Sequence, residues 1–362
     1  MKIYLVGGAV RDKILGIVPK ERDWVVVNGS SQELIKLGYK QVGKKFPVFL
    51  HPATSEEYAL ARIEKKIKKG HKGFEFNTSS EVTLEEDLSR RDLTINAIAE
   101  DEEGNIIDPF NGIKDLKGRT LRHVSKAFIE DPLRVFRVAK FYARFYEYDF
   151  KIHESTYKVM QEISKSGEIE TLSKERLWAE LSSALNTKNP WGFFDVLIKS
   201  KVAENYFPEI LENNLIKEKL IYFSKLNINK DIYLSICGLS LNIVDFFGFP
   251  KKILNLYFIF NEFGKKFLLL SVNKDSILLF LNSLDAFRRP SRLKIFLEQI
   301  KLFVKYSKIN EEKKIGIFYD ILNQIENKID YGDMVGLSVD QIKDKISRIN
   351  LNIIHSILNK KQ

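Results

Sequence analysis

The sequence has a single cysteine, Cys237, among 362 residues, so it cannot form an internal disulfide. It also lacks a long apolar run. The longest uncharged stretch of its C-terminal half, residues 232–244, is too short to cross a bilayer. The short apolar run near the N-terminus has no small-residue cleavage site and does not read as a signal peptide. These absences argue against a secreted or membrane protein, and we expect a cytosolic one.

The sequence has more basic than acidic residues. Lysine and arginine number 58 against 48 aspartates and glutamates, which gives a formal net charge of +10. Such an excess favours a nucleic-acid partner, because Lys and Arg gain affinity by releasing counterions from phosphates. An AT-biased genome enriches Lys, Asn, Ile and Phe as well, so the charge alone leaves the partner open.

Length and patterning predict an α+β fold of two or three domains. Hydrophobic residues make up 44% of the chain, enough for a substantial core. The predicted strands are residues 1–6, 23–27, 48–50, 57–63 and 104–107, and the predicted helices are 9–15, 31–37 and 93–99. From about residue 131 onward the apolar pattern is helical. We predict a head at residues 1–125, a helical neck and body at 126–212, and a helical body and tail at 213–362.

A glycine turn near the N-terminus predicts a phosphate-binding segment. Leu5-Val6-Gly7-Gly8 ends an apolar run and passes into a predicted helix that contains Arg11. The two glycines permit close approach of the backbone to a ligand, and the helix start offers free N–H groups and a positive dipole end. Arg11 adds a planar donor fork. A triphosphate would fit this turn.

Two carboxylates, Glu21 and Asp23, follow the turn and are separated by one residue. On a strand they would point to the same face and could hold Mg²⁺ between protein and phosphate oxygens. A surface strand can also carry two acids without binding a metal. The upstream glycine turn and Arg11 favour a site for two-metal nucleotidyl transfer. Glu57 is either a third acid near the metals or a surface residue at a strand end.

A second cluster, Arg90-Arg91-Asp92, stands at the start of the predicted helix 93–99. Arginine forks match phosphate oxygens, and a nearby carboxylate could accept a ribose hydroxyl. The alternative is structural: the acid meets the helix dipole, and the arginines pair with Glu86 or Asp87.

The third cluster is Glu130-Asp131-Pro132-Leu133-Arg134. Pro132 suits a first helical position, so Asp131 is a candidate N-cap. Asp131 and Arg134 are also three residues apart and can project side by side, with Arg137 and Lys140 continuing the row. A carboxylate beside a guanidinium imitates a base edge, and it complements the amino group and ring nitrogen of cytosine or adenine. Guanine and uracil would be mismatched.

Six motifs occur in an order and spacing that resemble bacterial CCA-adding enzymes, the class II tRNA nucleotidyltransferases related to poly(A) polymerases. They are Leu5-Val6-Gly7-Gly8-Ala9-Val10-Arg11-Asp12, Glu21-Arg22-Asp23, Arg90-Arg91-Asp92 with Asn96-Ala97, Asp108-Pro109-Phe110-Asn111-Gly112, Glu130-Asp131-Pro132-Leu133-Arg134 and Glu175-Arg176-Leu177-Trp178. The resemblance covers residues 1 to about 210. It implies a polymerase-β-like head with a mixed sheet, followed by a helical neck, body and tail. It also implies template-independent addition of C, C and A to the 3′ end of tRNA from CTP and ATP, with Mg²⁺.

The resemblance also assigns roles to individual residues. It implies metal-ligand positions at Glu21 and Asp23 and nucleotide-binding positions at Gly8, Arg11, Arg91, Asp92, Asp131, Arg134, Arg137 and Lys140. Two of these residues depart from the family pattern. Glu21 replaces the usual Asp, and its extra methylene shifts the carboxylate by roughly 1 Å, which can cost about 10²-fold in rate. Lys140 replaces the usual Arg, so we expect it to neutralise phosphate and not to read a base edge.

Some relatives carry a C-terminal phosphohydrolase module built on paired His and Asp ligands. This chain has five histidines, none of them between residues 154 and 354, and it has no His-Asp dipeptide. We therefore expect no such activity and a tail that binds tRNA. No obligate protein partner is evident. Two alternatives stay open, a poly(A) polymerase and a catalytically weak tRNA-binding relative.

Overall fold

The computed structural model describes residues 1–43, 48–66, 74–77, 81–226, 228–328 and 338–360. The chain divides into two compact units. The first comprises residues 1–212 and 246–248, and the second comprises residues 213–245 and 249–362. The three-part domain division stays a prediction. Most of a basic loop at residues 65–73, which could contact tRNA if ordered by it, lies outside the described residues.

The first unit contains the β structure. Its strands are β1 (Lys2–Val6), β2 (Asp23–Val27), β3 (Lys40–Val42), β4 (Val48–Leu50), β5 (Glu57–Leu60), β6 (Ile63–Lys66), β7 (Phe74–Asn77), β8 (Ala99–Glu100), β9 (Ile106–Ile107), β10 (Thr120–Leu121) and β11 (Lys151–Ile152). Seven of them form one sheet in the order β3-β4-β5-β2-β1-β8-β9. β2 runs parallel to β5 and antiparallel to β1. The mixed sheet and the helices that follow confirm the predicted α+β fold.

The sheet carries apolar side chains on both faces. β2 is rich in β-branched valine, which favours a strand. Val25 and Val27 point to one face, where they pack with Val6 and with Ala97. Val26 packs on the other face. The two buried faces fix the register, because a shift by one residue would move the apolar side chains to the wrong layer.

The helices of the first unit surround and extend the sheet. They are α1 (Gly8–Ile14), α2 (Ser31–Lys36), α3 (Leu84–Ser89), α4 (Gly112–Lys117), α5 (Leu133–Phe145), α6 (Glu154–Lys165), α7 (Lys174–Ala184), α8 (Trp191–Lys199) and α9 (Val202–Tyr206). Ser30 and Thr83 form capping boxes at the starts of α2 and α3. Buried Phe136 of α5 contacts the rings of Phe193 and Phe247. This packing anchors the helix that forms one wall of the site described below.

The predicted helix at residues 93–99 is wrong. The chain has a short α3 before it, a 3₁₀ turn at Thr94–Asn96 and then strand β8. Backbone and side-chain groups of this segment bind other parts of the fold: the Thr94 amide donates to Arg122 O at 2.8 Å, and its hydroxyl donates to Asp115 Oδ2 at 2.7 Å. The predicted strand at 57–63 also ends early, at Leu60. There the Ala61 amide still donates to Val26 O at 2.8 Å before the chain enters β6.

The remaining helices confirm the predicted helical character of the C-terminal half. They are α10 (Asn214–Ser224), α11 (Lys230–Ile236), α12 (Leu241–Phe246), α13 (Lys251–Leu268), α14 (Lys274–Ser283), α15 (Pro290–Ser307), α16 (Glu312–Lys328) and α17 (Val339–Lys360). Phenylalanine rings dominate the core of the second unit, with Phe267, Phe280 and Phe318 in mutual contact. Within the described ranges, we find no helix of the length and hydropathy that crossing a membrane requires.

Candidate functional site

An open cavity of about 550 Å³ lies in the first unit, between the β1–α1 turn, the segment after α3, and helices α5 and α7. Nine of the ten residues assigned from the motifs line it: Gly8, Arg11, Asp23, Arg91, Asp92, Asp131, Arg134, Arg137 and Lys140. Glu21 does not. Of the described residues, nine basic side chains and three carboxylates line the cavity, so it suits a strongly anionic ligand.

The glycine turn lets an arginine lie against the backbone. Gly7 has φ 71°, in the left-handed region, and a Cβ built there would stand 2.8 Å from Arg91 Nη1. Among the described residues, no side chain caps the start of α1. The turn therefore brings the Arg91 guanidinium next to an uncapped helix start, as a phosphate-binding segment requires.

Arg11 is buried, with 2% of its surface exposed. Its Nε donates to Asp12 Oδ1 at 2.8 Å and its Nη1 donates to Asn96 Oδ1 at 2.5 Å. The guanidinium also lies over the Phe141 ring of α5, 5.3 Å from its centroid. Burial lowers the pKa of Arg11, and the neighbouring Asp12 carboxylate opposes that shift. These contacts fix the orientation of Arg11 within the cavity wall.

Asp92 joins the segment after α3 to helix α5. Its Oδ1 accepts from the Leu93 amide at 2.8 Å and from Asn96 Nδ2 at 2.9 Å, and its Oδ2 accepts from Arg137 Nε at 2.7 Å. Burial alone would raise the pKa of Asp92, but Arg137 and Asn96 hold that pKa well below its ordinary value. Asp92 is therefore a charged, hydrogen-bonded carboxylate.

Arg90 and Arg91 both pair with Asp87. This pairing is the structural alternative to phosphate binding that the sequence left open. Arg90 Nη2 lies 2.8 Å and Arg91 Nη2 lies 3.3 Å from the Asp87 carboxylate oxygens. Both arginines line the cavity nevertheless. The pairing orients the two guanidinium groups, and Arg91 Nε has no hydrogen-bond partner among the described residues.

The two acids expected to hold a metal do not share a strand. β2 begins at Asp23, and Glu21 lies in the preceding loop beside a second depression of about 500 Å³ that Asp23 also borders. The strand pairing instead sets Asp23 in register with Glu57 of β5. The expectation that Glu21 and Asp23 share a strand face is therefore wrong, because the extended pairing with β1 ends at Asp23.

The chemistry of this pair still fits a divalent cation. Burial raises the pKa of Asp23, Arg91 opposes the rise, and the Glu21 charge adds to it. Neither carboxylate makes a hydrogen bond or ion pair with another described residue. Among those residues no group of three or more His, Cys, Asp or Glu forms a complete metal site. A Mg²⁺ ion commonly takes one or two carboxylates and completes its coordination with water and substrate phosphates, so two acids would suffice.

Asp131 and Arg134 stand at the start of α5. Asp131 Oδ1 accepts from the Leu133 amide at 3.1 Å, and its Oδ2 accepts from Arg176 Nη2 of α7 at 2.9 Å. Arg134 is buried, and its guanidinium donates to the carbonyls of Ala127 and Arg90. Asp131 thus helps to start the helix and also presents a carboxylate to the cavity.

Arg137 and Lys140 continue along the same face of α5. Lys140 Nζ lies 2.6 Å from Glu180 Oε2 of α7, and Arg137 Nη1 lies 3.9 Å from Glu180 Oε1. The Asp92 carboxylate raises the pKa of Arg137, burial lowers it, and Glu180 adds to the rise. Each of the two cations is tied to a carboxylate at the cavity wall.

The motif assignment misses several residues that line the cavity: Arg62, Arg90, Asn96, Phe141, Arg144 and Arg176. For two of them, the sequence contains a feature that could have indicated a place in the site. Arg144 stands seven residues after Arg137, which places it on the same helix face. Arg176 belongs to one of the six motifs. For Arg62, which follows β5, we find no such signal in the sequence.

Comparison with known proteins supports the same family. Residues 3–122 match the model of the poly A polymerase head domain, and residues 149–213 match the model described as "Probable RNA and SrmB- binding site of polymerase A". Together the two matches cover more than half of the chain.

Solved structures show the same fold. A Bacillus stearothermophilus CCA-adding enzyme in complex with CTP is 20% identical, with a TM-score of 0.66, over 98% of this chain and 89% of that one. A Thermotoga maritima CCA-adding enzyme complexed with tRNA is also 20% identical, with a TM-score of 0.59, over 100% of this chain and 92% of that one. A CCA-adding enzyme with ATP is 22% identical, with a TM-score of 0.61, over 99% and 89% of the two chains.

The head-domain match covers the glycine turn, both acids and the Arg91-Asp92 segment. Nucleotidyltransferases with a polymerase-β-like head generally use divalent metal ions. The motifs, the mixed sheet and the two family matches agree, and the chain belongs to the poly(A) polymerase family.

Proposed function

We propose that the chain adds C, C and A to the 3′ end of tRNA, without a nucleic-acid template, from CTP and ATP. The observation that carries this proposal is the cavity, which collects nine of the ten residues assigned from the motifs. The similar solved structures include CCA-adding enzymes with CTP, ATP and tRNA. A cytosolic location, where tRNA and both nucleotides are present, fits the lone buried Cys237.

The reaction transfers a nucleotidyl group to RNA. The 3′-hydroxyl oxygen of the tRNA attacks the α-phosphorus, the bond from that phosphorus to pyrophosphate breaks, and the hydroxyl proton leaves to solvent. Glu21 and Asp23 would hold Mg²⁺, which when bound stabilises the charge on the attacking and leaving oxygens. Arg11 and Arg91 would bind the triphosphate beside the glycine turn, where their donors match phosphate oxygens.

The chain's own residues also supply positioning and selectivity. Asp92 keeps Arg137 directed along the cavity, since their ion pair is 2.7 Å long. Asp131 offers acceptor oxygens to the amino group of cytosine or adenine. The ordered arginines let the triphosphate bind without reorganisation, which is the main protein contribution that phosphoryl-transfer chemistry needs.

An incorporation assay tests this proposal. A tRNA that lacks its terminal CCA is incubated with labelled CTP, ATP or both, and the products are sized on a gel. We expect two C residues with CTP and a complete terminus with both nucleotides. Tight tRNA binding without incorporation, with either Mg²⁺ or Mn²⁺, would contradict the proposal and favour a catalytically weak tRNA-binding relative.

Poly(A) polymerase activity is the second candidate, and the head-domain match favours it, because that model describes poly A polymerases. The two activities differ in product. Long adenosine tails on a generic RNA with ATP alone, and no incorporation of C, would identify a poly(A) polymerase. Addition that stops after the terminal A on tRNA would identify the CCA-adding activity.

A further inference from the structure

Helices α13 and α15 of the second unit border a groove of about 460 Å³, well separated in sequence from the residues of the candidate site. Lys252, Leu256 and Ile259 of α13 line it at spacings of four and three residues, which places them on one face of that helix. Arg292 and Ile295 line it from α15. Two helices thus turn a mixed apolar and basic face toward the same open space.

The floor of this groove is aliphatic. Leu256 and Ile259 are both buried, and Ile295 adds a third branched side chain from the other helix. Phe258 stands at the edge of the groove with 52% of its surface exposed. A half-exposed phenylalanine beside an apolar groove is typical of a surface that a partner covers, because the ring loses its contact with water when the partner binds.

The rim of the groove carries charge of one sign. Lys252, Arg289 and Arg292 line it, and no carboxylate of the described residues does. Asp231 pairs with Lys252 at 2.8 Å and Asp285 pairs with Arg289 at 3.4 Å, but the side chains of these two cations are 73% and 62% exposed. Such exposed ion pairs are weak, so both cations can exchange their partners for carboxylates of a ligand.

Shape and charge together favour one kind of partner. A groove between two helices of 18 residues each accepts a third helix, whose apolar side chains enter between the walls. An RNA would stack its bases on aromatic rings, and Phe258 is the only aromatic residue among the described residues that line the groove. A second copy of this chain, packed groove to groove, would set three cations against three cations.

We propose that this groove binds an acidic amphipathic helix of a protein partner. The apolar face of that helix packs on Leu256, Ile259 and Ile295 and covers the Phe258 ring. Its Asp and Glu side chains pair with the three cations of the rim, which set the orientation of the helix and speed its association. The interaction goes beyond the proposed function and does not depend on nucleotide addition.

Peptide binding to the full chain tests the groove. The probe is a fluorescein-labelled peptide of about 18 residues, with Leu at i, i+3, i+4 and i+7 of each repeat and with Glu and Gln elsewhere. A scrambled peptide of the same composition has no apolar face and controls for charge alone. Measured by fluorescence anisotropy, the amphipathic peptide is expected to bind roughly tenfold or more tightly than the scrambled one. Its affinity is expected to fall as salt is raised.

Two variants of exposed residues locate the contact. Phe258→Ser removes the ring at the edge and Lys252→Glu reverses one charge of the rim, and each is expected to weaken the amphipathic peptide roughly tenfold. Leu279→Ser is the apolar control, since this leucine of α14 is also exposed but lies outside the groove. Lys266→Glu is the charge control on α13 itself, where the lysine pairs with Glu262 and does not line the groove.

Each other outcome overturns the proposal. Equal binding of the two peptides, or equal affinity in the groove and control variants, would show that charge alone attracts the probe. A loss of tRNA affinity in Phe258→Ser and Lys252→Glu would assign the surface to RNA. A dimer that dissociates in Phe258→Ser, followed by analytical ultracentrifugation, would assign it to a second copy of this chain.

Discussion

Asp92 and Arg137 form an ion pair, 2.7 Å between Oδ2 and Nε, that ties the segment after α3 to helix α5. The Asp92 side chain is 5% exposed and that of Arg137 is 37% exposed. Because Asp92 also accepts bonds from Leu93 and Asn96, one carboxylate organises both walls of the cavity. Its charge is therefore the first target for experiment.

Replacing this carboxylate should destabilise the fold. Asp92→Asn keeps the shape but removes the nearer of the two carboxylates that face Arg137, and we expect a loss of about 2 kcal/mol in the free energy of unfolding. Urea denaturation measures it. Asp149→Asn is the matched control, because it breaks an exposed arginine–aspartate pair and should change stability by less than about 0.5 kcal/mol. Equal losses of unfolding free energy in the two variants would show that burial does not make the Asp92–Arg137 pair more stabilising than an exposed pair.

The contribution of Asp92 should disappear in acid. Its pKa in the fold lies well below the ordinary value of 3.8, so the unfolded chain takes up the proton first as the pH falls. The stabilisation is complete above about pH 4 and is lost as the pH falls toward the folded pKa. The difference in unfolding free energy between wild type and Asp92→Asn should therefore shrink below about pH 4. A difference that stays constant from pH 7 to pH 3 would refute this assignment.

The glycine turn offers a steric test. In Gly7→Ala the new Cβ would stand 2.8 Å from Arg91 Nη1, so the guanidinium must move, and we expect CTP affinity to fall roughly tenfold. Gly16 has the same φ of +71°, but a Cβ placed there would meet no neighbouring atom of the described residues within 4 Å. Gly16→Ala should therefore lose only about 1 kcal/mol of stability and keep its affinity for CTP. Similar affinity losses in both variants would attribute the effect to backbone strain.

Glu21 and Asp23, the two acids proposed to hold the metal, should differ in how substitution affects nucleotide addition. Asp23→Ala is expected to abolish nucleotide addition while tRNA binding persists, because one of two carboxylates is lost. Glu21→Asp should preserve or increase addition, since it restores the residue usual in the family. Rates with saturating CTP and Mg²⁺, and Mn²⁺ binding followed by electron paramagnetic resonance, measure both effects. A loss of activity in Glu21→Asp would show that the longer side chain is required from its loop position.

Much of the secondary structure of the first unit could be predicted from the sequence, because it depends on local residue patterns. β1 and β2 are short apolar runs bounded by turn residues, and α2 has a capping box that begins with Ser30. The prediction of a helix at residues 93–99 was wrong because of contacts with distant parts of the chain. Thr94 satisfies its amide and hydroxyl on Arg122 and Asp115, which a local pattern cannot reveal.

The candidate site shows the same division. Spacing alone placed Arg134, Arg137 and Lys140 along one face of a helix, and the structure has them on α5. Spacing did not place Glu21, because β2 begins at Asp23, as predicted, and Glu21 lies in the loop before it. Nor did it indicate that Asp131 would meet Arg176, a residue 45 positions away in the chain.

The amino-acid sequence by itself determined the family, the order of the motifs and the types of side chain available for phosphate, metal and base, because these depend on residue identity and short spacing. Only the tertiary structure decided which charges become partners. Buried charges need counter-charges and hydrogen bonds, and the fold supplies them from distant segments, as with Asp92 and Arg137 or Asp131 and Arg176.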